Sequence, residues 1–255
     1  MYQTQMLQKI FEIQKEIVDI HPLLEKVFPV AVVKDGNFLI FDADPLRNEF
    51  VFIKKEASSL PLPEKIRAAF PLECYENRIA CVVSEDAFHS LEGYALIFHE
   101  FVHCYQWETC EQDLKKELIV ANKELEKENY MWEINYPFPY NDPKFEDTYL
   151  RFLDSLNIRN QEKAFKHRKA LNQILSREDF EYMVWQEWKE GFARFIENKI
   201  RRRLGLQENH GGLKKPWNRV LFYEGGARFI EFLCNQEREL LTDIKALFYK
   251  MLTPK

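Results

Sequence analysis

Glycine is scarce in this chain. It holds 8 in 255 residues, under half the usual share of about 7%. That shortage argues against a turn-rich sheet protein and for helices. Cysteine is sparse and odd in number, at 5. A chain this long can bury a full core without staples. A disulfide framework is therefore not expected, and a reducing compartment is the simpler reading. No apolar run approaches the about 18 residues that a membrane-spanning helix needs. The first residues, MYQTQMLQKIFEIQKEIVDI, lack the basic start, apolar centre and small-residue cleavage site of a secretory signal. The expectation is a cytoplasmic protein with no membrane partner. Basic excess is absent too. Lys and Arg number 36 against 41 Asp and Glu, for a net charge of −5. No global field recruits nucleic acid. The patch Arg201-Arg-Arg203 with Lys214-Lys215 is small, and cations are expected at helix C-termini anyway.

What is present is a globular composition: 46% hydrophobic, 15% aromatic and 30% charged, neither low-complexity nor disordered. Leu7, Ile10, Phe11, Ile13, Ile17 and Val18 recur at helical spacing and predict an amphipathic helix over 3–20. Strand-rich pieces follow at 30–34, 38–41 and 50–53. Asp35-Gly36-Asn37 lies between the first two and predicts a hairpin. Pro61-Leu-Pro63 punctuates the chain. A short helix near Glu64–Phe70 and a strand over 79–83 come next, and Ser84-Glu-Asp86 is expected to cap the following helix. From residue 87 the reading is nearly all helical: 87–108, 111–131, 145–156, 158–176, 178–204, 217–235 and 237–250. A Pro-rich loop at 135–143 and a polar loop at 207–216 interrupt it. The expected fold class is α+β, predominantly helical. A small N-terminal mixed α/β layer (about 1–86) packs on a helical lobe (about 87–255) within a single domain spanning 1–255.

His99-Glu100-Phe101-Val102-His103 is an HExxH pentapeptide inside the apolar run from Tyr94 to Trp107. On a helix, residues four apart share a face, one turn above each other. Two imidazoles at that spacing can grip one metal ion. Glu100 between them can take a proton from water that the metal activates. The flanks are apolar nearly all round, so this helix is expected to be buried. Buried His and Glu need partners, because an unpaired polar group in an apolar interior costs about 2–7 kcal/mol. A metal satisfies all three. The plainer alternative is two core histidines bonded to backbone, with Glu100 in a salt bridge.

A catalytic zinc needs three protein ligands and one open position. The extended HExxHxxGxxH pattern is excluded, because Gln106 and Thr109 stand where its glycine and last histidine belong. The segment Trp188-Lys-Glu190-Gly191-Phe192-Ala193 is similar to the W-x-E-G-F/L-A segment of gluzincin metallopeptidases. That resemblance covers two short segments. It implies a zincin-like fold and a His-His-Glu site for Zn2+, with Glu190 as third ligand after His99 and His103. It also implies that Gly191 lets its helix approach the HExxH helix closely, with Ala193 keeping the contact thin. The chain departs from better-known members. A long gap separates His103 from Glu190. The Gly-x-Met-Glu-Asn segment that recognises amines in the aminopeptidases is missing. Arg194 stands one turn after Glu190, where thermolysin-like members place an aspartate that orients a histidine.

Other readings stay open at this point. On a helical wheel Glu190 lies beside Glu187, Arg194, Glu197 and Arg201, opposite Trp185, Trp188, Phe192, Phe195 and Ile196. That stripe reads equally as a solvated ladder of ion pairs. Glu224 competes as ligand, in a segment from Tyr223 to Glu231 that partly repeats Glu190–Glu197. Cys74 and Cys81 are softer alternatives. A Cys-His-His site would resemble peptide deformylase, whose glycine-rich and Cys-Leu-Ser segments are missing here.

The expected function is a zinc-dependent peptidase acting on a peptide or small protein segment. Glu100 is the base that later delivers the proton to the leaving amine. Tyr223 is the candidate hydrogen-bond donor to the oxyanion, as related peptidases use a tyrosine from such a helix; the alternative is a core tyrosine. Arg219 and Arg228 could take a substrate carboxylate or lie solvated. Glu197 could buttress a ligating histidine or pair with Arg194 or Arg201. The strand over 79–83, if it is an exposed edge, could pair with an extended peptide. His21, His89, His167 and His210 have no motif support. Two alternative functions keep the metal: an amidase or other non-peptidase hydrolase, and a non-catalytic metal-binding partner protein. Nothing in the sequence sets an oligomeric state.

Overall fold

The structure is a computed structural model that describes residues 2–44, 46–58 and 62–253. It is α+β and mostly helical, with one five-stranded mixed sheet. The backbone gathers into two compact units, Met1–Thr109 with Ile196–Glu208, and Cys110–Phe195 with Asn209–Lys255. The HExxH helix belongs to the unit that holds the sheet. No helix among the described residues is long and apolar enough to cross a membrane. No disulfide joins any of the five cysteines.

In the first unit, helix α1 (Tyr2–Ile17) buries Leu7, Ile10, Phe11, Ile13 and Ile17. The strands are β1 (Val30–Lys34), β2 (Asn37–Asp44), β3 (Glu49–Ala57), β4 (Arg67–Leu72) and β5 (Arg78–Ser84), in the order β3-β2-β1-β5-β4. The expected hairpin forms. Asp35 and Gly36 take φ of 48° and 71°, the paired left-handed conformations of a tight hairpin turn, and Lys34 faces Asn37. β1 and β5 run parallel. Both are apolar almost throughout because both of their faces are covered. Ala31, Phe38, Ile40, Leu72, Ala80 and Val82 form the core on one face. Helix α2 (Leu91–Gln106) packs on β4 and β5.

Three expectations for this unit are corrected. Residues 64–70 do not form a helix; Arg67–Leu72 is strand β4. Ala68, Phe70 and Leu72 alternate onto the sheet core, with Ala68 opposite Val82 and Phe70 opposite Ala80. Pairing with β5 overrides the helix propensity of Glu64-Lys-Ile-Arg-Ala68. The strand over 79–83 is interior, flanked by β1 and β4, so the edges are β3 and β4. Ser90 rather than Ser84 caps α2, its Oγ accepting from the Gly93 N–H at 3.1 Å. Ser84 Oγ instead donates to Asp86 at 2.6 Å, and residues 85–89 make a separate 3-10 turn.

The second unit contains α3 (Gln112–Glu117), α4 (Ile119–Glu126), α5 (Trp132–Asn135), α6 (Pro143–Asn157), α7 (Gln161–Ile174), α9 (Val220–Gln236) and α10 (Ile244–Leu252). Helix α8 (Arg177–Arg203) starts here and runs on into the first unit. The single helix expected over 111–131 is broken. A π-turn fills Trp107–Glu111, and Leu118 is extended at φ −77° and ψ 127°. The freed N-terminus of α4 is satisfied by Glu181, which accepts from the Val120 N–H at 3.1 Å. Asp142 caps α6 and Asn160 caps α7 through their side chains.

The crossing of α8 and α9 is close. A Cβ on Gly191 would lie 2.7 Å from Gly226 Cα, and one on Gly226 would lie 2.1 Å from the Glu187 carbonyl oxygen. The tight approach expected of Gly191 is thus made to α9. The partial repeat in the two segments supplies the small residues of one helix crossing.

A partly buried charge network is centred on Lys189 of α8. Lys189 Nζ reaches Glu111 at 2.7 Å and Glu133 at 2.8 Å, Lys115 Nζ reaches Glu133 at 2.5 Å, and Trp185 Nε1 donates to Glu133 at 3.1 Å. Burial alone would raise the Glu133 carboxyl; Lys189 and Lys115 outweigh it and hold the group well below its ordinary value. A depressed folded pKa stabilises the fold above the unfolded value, 4.5 here, and that contribution is lost as pH falls further. The urea midpoint of the protein is therefore expected to drop steeply below about pH 4.5. Glu133→Gln should flatten that limb while lowering stability at neutral pH. An unchanged acid limb would show that the network is not the source.

Candidate metal centre

His99 and His103 stand one turn apart on α2, each 7% exposed. The Nδ1–H of His99 donates to Glu197 Oε2 at 2.9 Å. The other oxygen of Glu197 accepts from Arg201 Nε at 2.5 Å. The Nδ1–H of His103 donates to Gln106 Oε1 at 2.9 Å. Both of these partners are buried. With each Nδ1 carrying the ring proton, each Nε2 presents a lone pair. The two Nε2 atoms lie 3.2 Å apart. Two lone pairs held that close repel unless a shared proton or a metal cation lies between them. A tetrahedral zinc with bonds of about 2.0–2.1 Å sets its ligand nitrogens roughly 3.4 Å apart, so the spacing fits one.

Glu190 completes the group. Ligand atoms of His99, His103 and Glu190 all lie within 4.8 Å of one another, and the three could hold a metal ion. No other such cluster of His, Cys, Asp and Glu occurs among the described residues. The stripe that read as a solvated ladder is not solvated. Glu187, Arg194 and Glu197 are 0%, 6% and 1% exposed. Trp185, Trp188, Phe192 and Ile196 opposite them are buried as well, so α8 is enclosed on both faces. The orienting acid absent at Arg194 is supplied three residues on by Glu197, which takes both the buttressing and the ion-pairing roles open to it. Arg194 itself donates to the carbonyls of Asn209 at 3.2 Å and Gly211 at 3.4 Å.

The competing ligands are placed elsewhere. Glu224 is 1% exposed and engaged by Arg228 at 2.7 Å and by His210 Nδ1 at 3.1 Å. Cys74 packs against the apolar sheet cluster. Cys81 is fully buried, and burial first, then the charge of Glu100, push its thiol well above the ordinary value. It is not part of the His99, His103 and Glu190 group. Glu100 is 6% exposed.

Tyr223 lies beside Glu190. Its hydroxyl hydrogen-bonds Glu190 and accepts from Arg219 Nη1. Burial and then the Glu190 charge push the phenol well above its ordinary value, so it is a protonated donor. Arg219 is half-buried against the Tyr223 ring, at 5.6 Å from its centroid. Arg228 pairs with Glu224 and donates to Asn157 at 3.0 Å.

Gln106 is the residue that sequence reasoning passed over as a partner. Its place three residues after His103 was the available signal. The π-turn starts immediately after it, and such turns recur at functional sites. No family model matches the chain, and no curated protein or solved structure matches it.

Proposed function

We propose that the protein is a zinc-dependent peptidase of the gluzincin type, with a zincin-like fold, acting on a peptide or small protein segment. One observation carries this reading: two imidazoles whose Nδ1 protons are already used turn both Nε2 lone pairs toward each other, next to the Glu190 carboxylate. Two nitrogens and one carboxylate oxygen make a donor set suited to zinc. When bound there, the ion supplies Lewis acidity and a readily ionised water.

The chain's own groups do the rest. Glu197, fixed by Arg201, and Gln106 hold the imidazole tautomers. Glu100 accepts a proton and passes it to the leaving amine. Tyr223, whose hydroxyl hydrogen-bonds Glu190 at rest, turns that proton from Glu190 to the oxyanion as charge develops. Edge strand β4 beside α2 offers backbone groups to an extended peptide.

The test begins with elemental analysis of the purified protein, for which one zinc per chain is expected. Glu190→Ala is expected to weaken retention by more than the about 10–100-fold typical of outer-shell changes. Full occupancy in that variant would overturn the ligand assignment. A peptide library run beside a panel of small amides then reads the substrate. Cleavage of the amides alone would replace the peptidase by an amidase.

A further inference from the structure

Arg219 is a cation in an unfavourable place. It is the residue immediately before helix α9, at the N-cap. The N-terminus of a helix already carries positive partial charge, and acids, not cations, are stabilising there. The first turn of α9 contains no acid. Among the described residues Arg219 is paired with no carboxylate. Its one side-chain hydrogen bond goes to the Tyr223 hydroxyl, which in turn bonds Glu190. Arg194 lies over the same ring, 5.7 Å from its centroid, but its Nη1 is used by the Asn209 and Gly211 carbonyls. Arg219 therefore keeps spare N–H donors, half-buried, one tyrosine away from the third ligand.

We propose that Arg219 is the receptor for a substrate carboxylate, either a peptide C-terminus or an Asp or Glu side chain next to the scissile bond. This rests on the peptidase reading and narrows its substrate class. A planar guanidinium presents paired donors that match a carboxylate bidentately. The first N–H groups of α9 are taken, Val220 N–H by Asn218 Oδ1 at 2.9 Å and Leu221 and Phe222 N–H by the Asn218 and Arg219 carbonyls. The receptor is therefore the guanidinium itself, with the helix dipole favouring the same negative charge. A carboxylate docked there also lies close to Tyr223, so recognition and oxyanion stabilisation share one helix turn.

The experiment uses one fluorogenic peptide backbone in three forms on the zinc-loaded protein. The forms are a free C-terminal carboxylate, a C-terminal amide, and the amide with Asp beside the scissile bond. At least one carboxylate form is expected to be preferred over the plain amide by about tenfold or more in kcat/KM, as for a charge-assisted pair. The form preferred identifies the source of the carboxylate. Arg219→Gln should bring that ratio to near one. Arg219→Lys, which keeps charge and loses the fork, should fall between. Tyr223→Phe removes the hydroxyl link and should keep the preference, which separates recognition from mere support of the tyrosine. A wild type without carboxylate preference, or a preference that survives Arg219→Gln, overturns the proposal. If no peptide is cut, calorimetric binding of the acid and amide forms still reads the site. Acid-selective binding lost in Arg219→Gln upholds the receptor while the peptidase reading falls. Equal binding of both forms overturns the receptor.

Discussion

Glu100→Gln is expected to lower kcat by about 10²–10⁴-fold and to leave the zinc content unchanged. The two halves of that result come from different atoms. His99, His103 and Glu190 form the group that could hold a metal ion, and Glu100 is not in it. The amide keeps the shape of the carboxylate but cannot accept a proton at neutral pH. Glu100 is 6% exposed, and burying a neutral amide costs less than burying a charge, so the variant should fold at least as well as the parent. Paired measurements of kcat and bound zinc decide the matter. Undiminished turnover removes Glu100 from the mechanism. Lost zinc turns Glu100 into a ligand. Glu190→Ala gives the contrasting pattern, because metal and turnover leave together. Comparing the two variants separates holding the ion from moving the proton.

The grouping of His99, His103 and Glu190 was legible in the sequence because each half of it sits on one regular helix. Spacing alone puts His99 and His103 on one face of α2, and the short Glu190 segment marks α8. What surrounds those residues was not legible. A helical wheel gives an angle and says nothing about what stands opposite. The stripe from Glu187 to Arg201 has the same spacing whether water or protein covers it. Its partners come from remote segments: Arg168 for Glu187 and the 209–211 carbonyls for Arg194. Gly191 shows the same limit. A residue without Cβ announces a close approach, but only the fold reveals that Gly226 lies there. Strand β4 fails for a related reason. Its local residues favour a helix, and its alternation gains meaning only from β5 and the core beneath it. Gln106 was weighed only as an absent glycine, although its distance from His103 in sequence is that of a side-chain partner on the same helix face.

Arg168→Met is expected to destabilise the fold by about 3–5 kcal/mol, far more than an ordinary charge removal. Arg168 and Glu187 are both fully buried and 2.6 Å apart. Tyr149 donates to the other carboxylate oxygen, Glu187 Oε1, at 2.9 Å, and Arg168 Nη2 donates to the Met251 carbonyl at 3.2 Å. Its guanidinium also lies 4.9–5.4 Å from the rings of Phe229, Phe180 and Phe152. Removing the cation leaves Glu187 enclosed and served by one phenol, so the carboxyl must be buried unpaired or take up a proton, and either costs stability. The pair as a whole is a different matter. Burial pushes the Glu187 carboxyl above its ordinary value, and the attraction of Arg168 does not fully offset it. Replacing the whole pair also removes the cost of burying the charges, so Arg168→Met with Glu187→Leu should recover most of the loss. Urea unfolding of both single variants and the double variant forms a mutant cycle that measures the coupling directly. A cost below about 1 kcal/mol for Arg168→Met, as for a surface ion pair, would overturn this account. Glu187 is one turn before Glu190, with its carbonyl set against Gly226. The α8–α9 crossing, rather than the ion pair, fixes that turn of helix. Zinc affinity of the folded Arg168→Met protein is accordingly expected to match the parent, even as its stability falls.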